Sequence, residues 1–316
     1  MSVDSLDPEG VRREVALAEA RIRPWIVETP LVPSSHQLHF KLENRQHTGS
    51  FKARGAFSKL LSLRTRDPGL RTAGVIAAST GNHGAAVAYA GSQLGIPVRI
   101  VVPRGASPKK LAAIKASGAD LIEHGTDGVE SEHFARAESA RSGIPYVSPY
   151  NDAEVIGGQG TVGIELARQI PRADTIFIAL GGGGLLAGVA AHLKPLWPNV
   201  RIIGCSPENS AVMIESLRAG RVLELESKPT LSDGTAGGVE TDTITFPLCQ
   251  ALADDLCTVS ESEILDAMRQ IREELGMLVE GAAGVAYAGY LRARRAGTSV
   301  VILCGGNADP AVLSGE

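Results

Sequence analysis

The chain has 316 residues, is 44% hydrophobic and carries a formal net charge of −4, long enough to bury a large core in two domains. Acidic and basic residues are interspersed with no basic block, which argues against nucleic acid as a partner. Aromatic residues make up only 4% while glycines number 36, a mix that suits a layered α/β protein with many tight strand-to-helix turns better than a β-sandwich.

Taken in chain order, the middle and end of the sequence alternate short β-branched runs with helical patterns. Residues 74–79 (GVIAAS) read as a strand, followed by a helix that ends at Gly95. The run PVRIVVP is the next strand. Ser107 with Pro108 then offers an N-cap and a first-turn proline for the helix KKLAAIKASG. DLIEH, a helix through Phe134, the run IPYV and a helix from about Thr161 to Ile170 follow. TIFIAL leads into four glycines and the helix LLAGVAAHL, and RIIGC is a further strand. Ser260 and Glu263 form a capping box for EILDAMRQIREEL, and SVVILCGG closes the pattern. Short strands separated by helices imply βαβ units and mainly parallel sheets. The expected division is a small inserted domain at 70–146 and a large domain made of 1–69 and 147–316. The polar start and the lack of an apolar run of about 18 residues predict no membrane contact. Cys205, Cys249, Cys257 and Cys304 show no C-x-x-C spacing and read as free thiols of a reducing, cytoplasmic compartment.

Ligands gather where parallel strands end in glycine turns and feed helix N-termini. Gly181, Gly182, Gly183 and Gly184 follow TIFIAL and would let backbone approach a phosphate beneath a helix dipole. A merely flexible turn is the plainer alternative. A dinucleotide fingerprint through Gly182, Gly184 and Ala187 is another, although no ribose-binding acid ends the next strand. Ser79, Thr80, Gly81, Asn82 and His83 cluster hydroxyls, an amide and an imidazole at a helix start, suited to a carboxylate. Ordinary N-capping explains one of these residues but not four in a row. Cys304 after VVIL reads, on its own, as a small core residue.

The segments Lys41-Leu42-Glu43-Asn44 and Ser50-Phe51-Lys52-Ala53-Arg54-Gly55-Ala56 stand near the start. S-F-K-x-R-G-A strongly resembles the lysine signature of the serine/threonine dehydratase and serine racemase family, the fold type II enzymes that use pyridoxal 5′-phosphate (PLP). S-x-G-N-H-G, G-G-G-G-L and x-G-G-N occur in the family order, so the resemblance spans essentially the whole chain. It implies an α/β fold of two domains with mainly parallel twisted sheets flanked by helices, PLP lying in the cleft between them, as in the tryptophan synthase β-like fold.

By this resemblance Lys52 carries PLP covalently and moves the substrate α-proton, and Phe51 packs against the cofactor. Asn82 meets the ring hydroxyl, and Gly181 to Gly184 with Leu185 bind the phosphate. Ser79, Thr80, Asn82 and His83 hold the substrate, Cys304 faces the pyridine nitrogen, and Glu280 is a nearby acid. A neutral thiol at that nitrogen favours prompt loss of a β-substituent over a long-lived carbanion. Ser206 and Val212 stand where relatives with a cation site carry acids, so no metal is expected. Thr80 could serve as an acid opposite Lys52. Longer relatives carry a C-terminal regulatory domain, for which this chain is expected to be too short. The implied activity is elimination of water and ammonia from L-threonine or L-serine, in a homodimer. The rivals are a serine racemase and a dehydratase for 3-hydroxyaspartate or phenylserine, and more remotely an NAD-dependent oxidoreductase.

Overall fold

The computed structural model describes residues 6–35, 37–293 and 295–313. Helix α1 (Pro8–Ile22) starts with proline at its first turn, and the Asp7 carboxylate accepts from the Gly10 amide at 2.7 Å. Strands β1 (Leu31–Ser35) and β2 (Leu38–Lys41) form an antiparallel pair, and α2 (Lys52–Arg66) and the short α3 (Leu70–Ala73) follow. A three-stranded parallel sheet is then laid down as β3 (Val75–Ala78), α4 (Asn82–Leu94), β4 (Val98–Val102), α5 (Pro108–Ala116) and β5 (Asp120–Glu123). Helices α6 (Gly128–Ser142) and α7 (Ala153–Gln169) lead back to the larger sheet. There β6 (Thr175–Ala179), α8 (Gly184–Leu196) and β7 (Arg201–Pro207) precede α9 (Val212–Ala219) and α10 (Thr245–Leu252). The chain continues through β8 (Asp255–Val259), α11 (Glu261–Leu275), α12 (Gly281–Ala293) and β9 (Ser299–Ile302).

The larger sheet has strand order β1-β2-β9-β6-β7-β8 and is parallel except for the edge strand β1; the smaller has order β3-β4-β5. Each has its own buried apolar cluster, one around Phe177, Ile202 and Val301 and one around Phe57, Val87 and Ile100. This is an α/β fold of two mainly parallel sheets flanked by helices. No helix among the described residues is long and apolar enough to cross a membrane.

Four local expectations are corrected. IPYV makes a single bridge from Tyr146 to Ile76 instead of a strand, because Pro145 has no amide to offer a ladder. The helix expected from about Thr161 begins at Ala153, where the Asp152 carboxylate accepts from the Val155 amide at 3.1 Å. Its early glycines are packing devices: a Cβ on Gly158 would lie 2.5 Å from the Arg54 carbonyl oxygen, and one on Gly160 would lie 2.8 Å from that of Gly188. The helix through Phe134 runs on to Ser142. Ser107 precedes α5 but makes no capping bond with its side chain. The Ser260–Glu263 capping box is present in full.

Candidate active site

Lys52 opens α2, and the end of β9 holds that opening. Ser50 bridges to Gly305, and the Phe51 amide donates to the Cys304 carbonyl at 3.1 Å. Phe51 makes no side-chain cap. The turn before it uses Thr48 at φ 60°, the one non-glycine residue with positive φ among those described, and the Asn307 amide braces it by donating to the Thr48 carbonyl at 2.7 Å. The Lys52 ammonium donates to the Pro149 carbonyl at 3.0 Å and lies 5.2 Å from the Phe51 ring centroid. Burial pushes its pKa down to about 8, against the opposing pull of Cys304 and Glu280.

Around the amine the sequence elements converge. Cys304 is buried, and burial beside Glu280 holds its thiol well above the usual range, so it is neutral. Its Sγ points to Glu280 Oε1 at 3.9 Å. Glu280 sits just before α12, and desolvation raises its pKa. Asn82, first in α4, donates from Nδ2 to both Glu280 oxygens at 2.9 and 2.8 Å and accepts from Asn307 at 2.8 Å. The amide expected to meet a ring hydroxyl is thus oriented by an acid and a second amide.

Ser79, Thr80 and Gly81 lead from β3 into α4, whose first amides have no intrahelical acceptor. The Ser79 hydroxyl accepts from the Gly81 amide at 3.1 Å. His83 is buried, and its Nε2 lies 2.8 Å from the Val147 carbonyl, which makes that nitrogen the protonated one. Burial, with Lys52 close enough to add to it, pushes this imidazole down to about 3, so it is neutral and keeps only Nδ1 as an acceptor.

The glycine loop is a formed cradle. Gly183 adopts φ 87°, and the carbonyls of Gly182 and Gly183 are tied back by the Thr245 hydroxyl (2.6 Å) and the Cys249 thiol (3.7 Å). A Cβ on Gly182 would lie 2.4 Å from the Tyr150 ring, so only glycine fits beneath that ring. Leu185 is buried one residue into the helix. Ser206 donates its hydroxyl to the Leu180 carbonyl at 2.6 Å, and Val212 is buried in the core.

Sequence reasoning missed Pro149, Tyr150, Glu240 and Asn307 in its roles. Tyr150 lies along the glycine loop, and its hydroxyl accepts from the Glu240 amide at 3.0 Å. The dipeptide Pro149-Tyr150 just before the Asp152 cap was the only local signal for it.

Residues 22–305 match the family described as pyridoxal-phosphate dependent enzyme. The chain belongs to that family. It is 38% identical over 275 residues to the L-threonine ammonia-lyase of Thermotoga maritima, covering 86% of this chain and 68% of the relative. It is 36% identical over 314 residues to the phenylserine dehydratase of Ralstonia pickettii, covering 95% and 94%. The structure of maize serine racemase superposes with a TM-score of 0.89 at 32% identity, covering 96% and 95%. A PLP-dependent enzyme needs an amine that can be neutral near physiological pH and a cradle for a phosphate. The enclosed Lys52 amine and the loop ending at the N-terminus of α8 have that chemistry.

Proposed function

We propose that the protein is an ammonia-lyase acting on L-threonine or L-serine, converting a 3-hydroxy amino acid to a 2-oxo acid and ammonia. PLP, when bound, supplies the electron sink that acidifies the substrate α-carbon. Lys52 bears it and serves as the base at that carbon. With a pKa of about 8, roughly one-tenth of the free amine is neutral at pH 7. Gly181 to Gly184 and Leu185 would hold the phosphate, Phe51 would pack beside the ring, and Asn82, backed by Glu280, would meet the ring hydroxyl. Ser79, Thr80 and the first amides of α4 receive the substrate carboxylate, while His83 shapes the turn from beneath as a neutral ring.

The observation that carries elimination is the neutral, buried Cys304 thiol. A neutral thiol there would offer the ring nitrogen no charge partner, which would favour loss of the β-hydroxyl over return of a proton. The relatives' names support the same reaction class, one an L-threonine ammonia-lyase and one a phenylserine dehydratase, and the likeness to a serine racemase supports a side activity through the Thr80 hydroxyl. The residues 70–146 serve as the small substrate-binding domain against 1–69 and 147–316, and the enzyme works as a cytoplasmic homodimer. The deciding experiment is 2-oxo acid release across L-threonine, L-serine, 3-hydroxyaspartate and phenylserine, with chiral separation of the serine reaction. L-Threonine or L-serine should give the highest kcat/KM. D-Serine accumulating faster than pyruvate makes the enzyme a racemase, and preference for phenylserine moves the substrate class.

A further inference from the structure

Two sequence features remain without a role: the charged pair in Lys41-Leu42-Glu43 and the arginine two residues after Lys52. The structure brings them together. Arg54 is fully buried and its guanidinium grips two carboxylates at once. Nε and one terminal nitrogen donate to the two oxygens of Glu43, both at 2.8 Å. The terminal nitrogens donate to the two oxygens of Glu165 at 2.6 and 2.9 Å. The buried Lys41 ammonium donates to the Thr29 carbonyl at 2.7 Å, to Gln169 at 3.1 Å and to Glu165. Two cations face two anions, so the group is neutral as a whole, and its polar atoms are taken up by one another and by Thr29 and Thr161.

This knot ties β2, the turn after it, α7 and the first turn of α2. Successive residues of a helix are about 100° apart, so positions 52 and 54 point about 200° apart around α2. Arg54 therefore anchors the core side of the turn whose other side presents Lys52. Phe51 provides no side-chain cap to this helix start. The adjacent Gly55 amide donates to the Gln159 side chain at 3.2 Å, a second tie between α2 and α7. We propose that Arg54, held between Glu43 and Glu165, is a positioning residue that sets the rotation of α2 and thereby aims the Lys52 amine at the enclosed spot beside Pro149.

A guanidinium can hold two carboxylates in a flat fork and an ammonium cannot. Replacing a whole buried ion group is often near neutral in stability while removing one partner is strongly destabilising, so melting temperature reports folding and the rate and midpoint of capture report aiming. The proposal rests on Lys52 being the cofactor-bearing lysine, and the test distinguishes the two claims. Full-length wild type, Arg54→Lys and Glu165→Gln are stripped with hydroxylamine and mixed with PLP across pH 6.5 to 10.5. The rate of imine absorbance near ~410–420 nm is recorded, with melting temperature, and the lysine is mapped after borohydride reduction.

In the wild type the rate should rise to a midpoint near pH 8, with the tag on Lys52. Both variants should still melt cooperatively, capture PLP at least about tenfold more slowly, and show a midpoint displaced towards that of a free lysine, about 10.4. Turnover of L-threonine should fall in kcat by more than KM changes. Variants that melt lower yet keep the wild-type capture rate and midpoint overturn the positioning role. Glu165→Gln keeps the shape of the site, so it carries the test if Arg54→Lys does not fold. A tag on Lys41 or Lys59 in the wild type overturns the assignment of Lys52 and the proposal with it.

Discussion

The segment carrying Lys52 and the turn from Ser79 to His83 lie within electrostatic reach of each other, yet they are held in different ways. Lys52 stands on a fully buried ion group and on backbone bonds to the end of β9, all drawn from the larger sheet and its helices. The Ser79–His83 turn belongs to the smaller sheet, which has its own core, and Gly81 at its centre is exposed with open space around it. Within it Asn82 is tied to Glu280 and Asn307, while Ser79 makes one hydroxyl-to-amide bond and His83 is a buried imidazole. The lysine proposed to bear the cofactor is anchored by the core. The groups proposed to meet the substrate, Ser79 and Thr80, lie on the more exposed side of that turn.

Removing the anchored amine should have the largest effect. Lys52→Ala deletes base and covalent attachment together and should lower kcat/KM by several orders of magnitude, with loss of the visible band. If substantial turnover survived, the anchored side would not be the catalytic side. Next in size is the cradle. Gly182→Ala pushes a methyl into the Tyr150 ring, and overpacking of about 1–3 kcal/mol should weaken PLP retention roughly tenfold to a hundredfold in equilibrium dialysis.

On the substrate side the effects should be smaller and selective. Thr80→Ala should keep dehydratase kcat within about threefold, with the lost carboxylate contact read in KM, because as an acid a hydroxyl of high pKa acts only where a carbanion persists. It should also abolish slow formation of D-serine, read by chiral chromatography. A parallel collapse of both activities would place Thr80 among the essential groups.

His83 gives the comparison a pH axis. Its folded pKa of about 3 lies below the ordinary value of 6.5, so between these the unfolded chain takes up a proton that the folded one refuses. Its contribution to stability is complete above pH 6.5 and declines as the pH falls, by up to about 1.4 kcal/mol per unit. Urea melts from pH 7.5 to 5 should show this slope, and His83→Gln should flatten it. The smallest effect is expected from chelation. Ser206 is committed to the Leu180 carbonyl and Val212 to the core, so EDTA should leave kcat and Tm unchanged. Loss of activity restored by Mg²⁺ would reveal a cation site elsewhere.

Much of the fold was legible because its signals are local. Strands β3, β4, β6, β7 and β9 are β-branched runs, and the capping box of α11 lies within four residues. The edge pair β1–β2 and strand β8 were not read: LHFK alternates over only four residues, LVPSS carries a proline, and DLCTV mixes polar and apolar residues without a clear period. The start of α7 was hidden by glycines whose purpose is close contact with α2 and α8, a property of the neighbours and not of the segment itself.

The sequence alone determined which turns end strands in chemistry-bearing residues, and it singled out Lys52, Asn82, the four glycines and Cys304 by motif. The tertiary structure decided what each of them touches. Lys52 meets the Pro149 carbonyl across 97 residues of chain, Asn82 meets Glu280 across 198, and Arg54 finds Glu165 across 111. Burial and partner distance are created only when these segments pack. Desolvation is what pushes the Lys52 amine and the His83 imidazole down and keeps the Cys304 thiol neutral, so charge state at the site is a property of the folded chain.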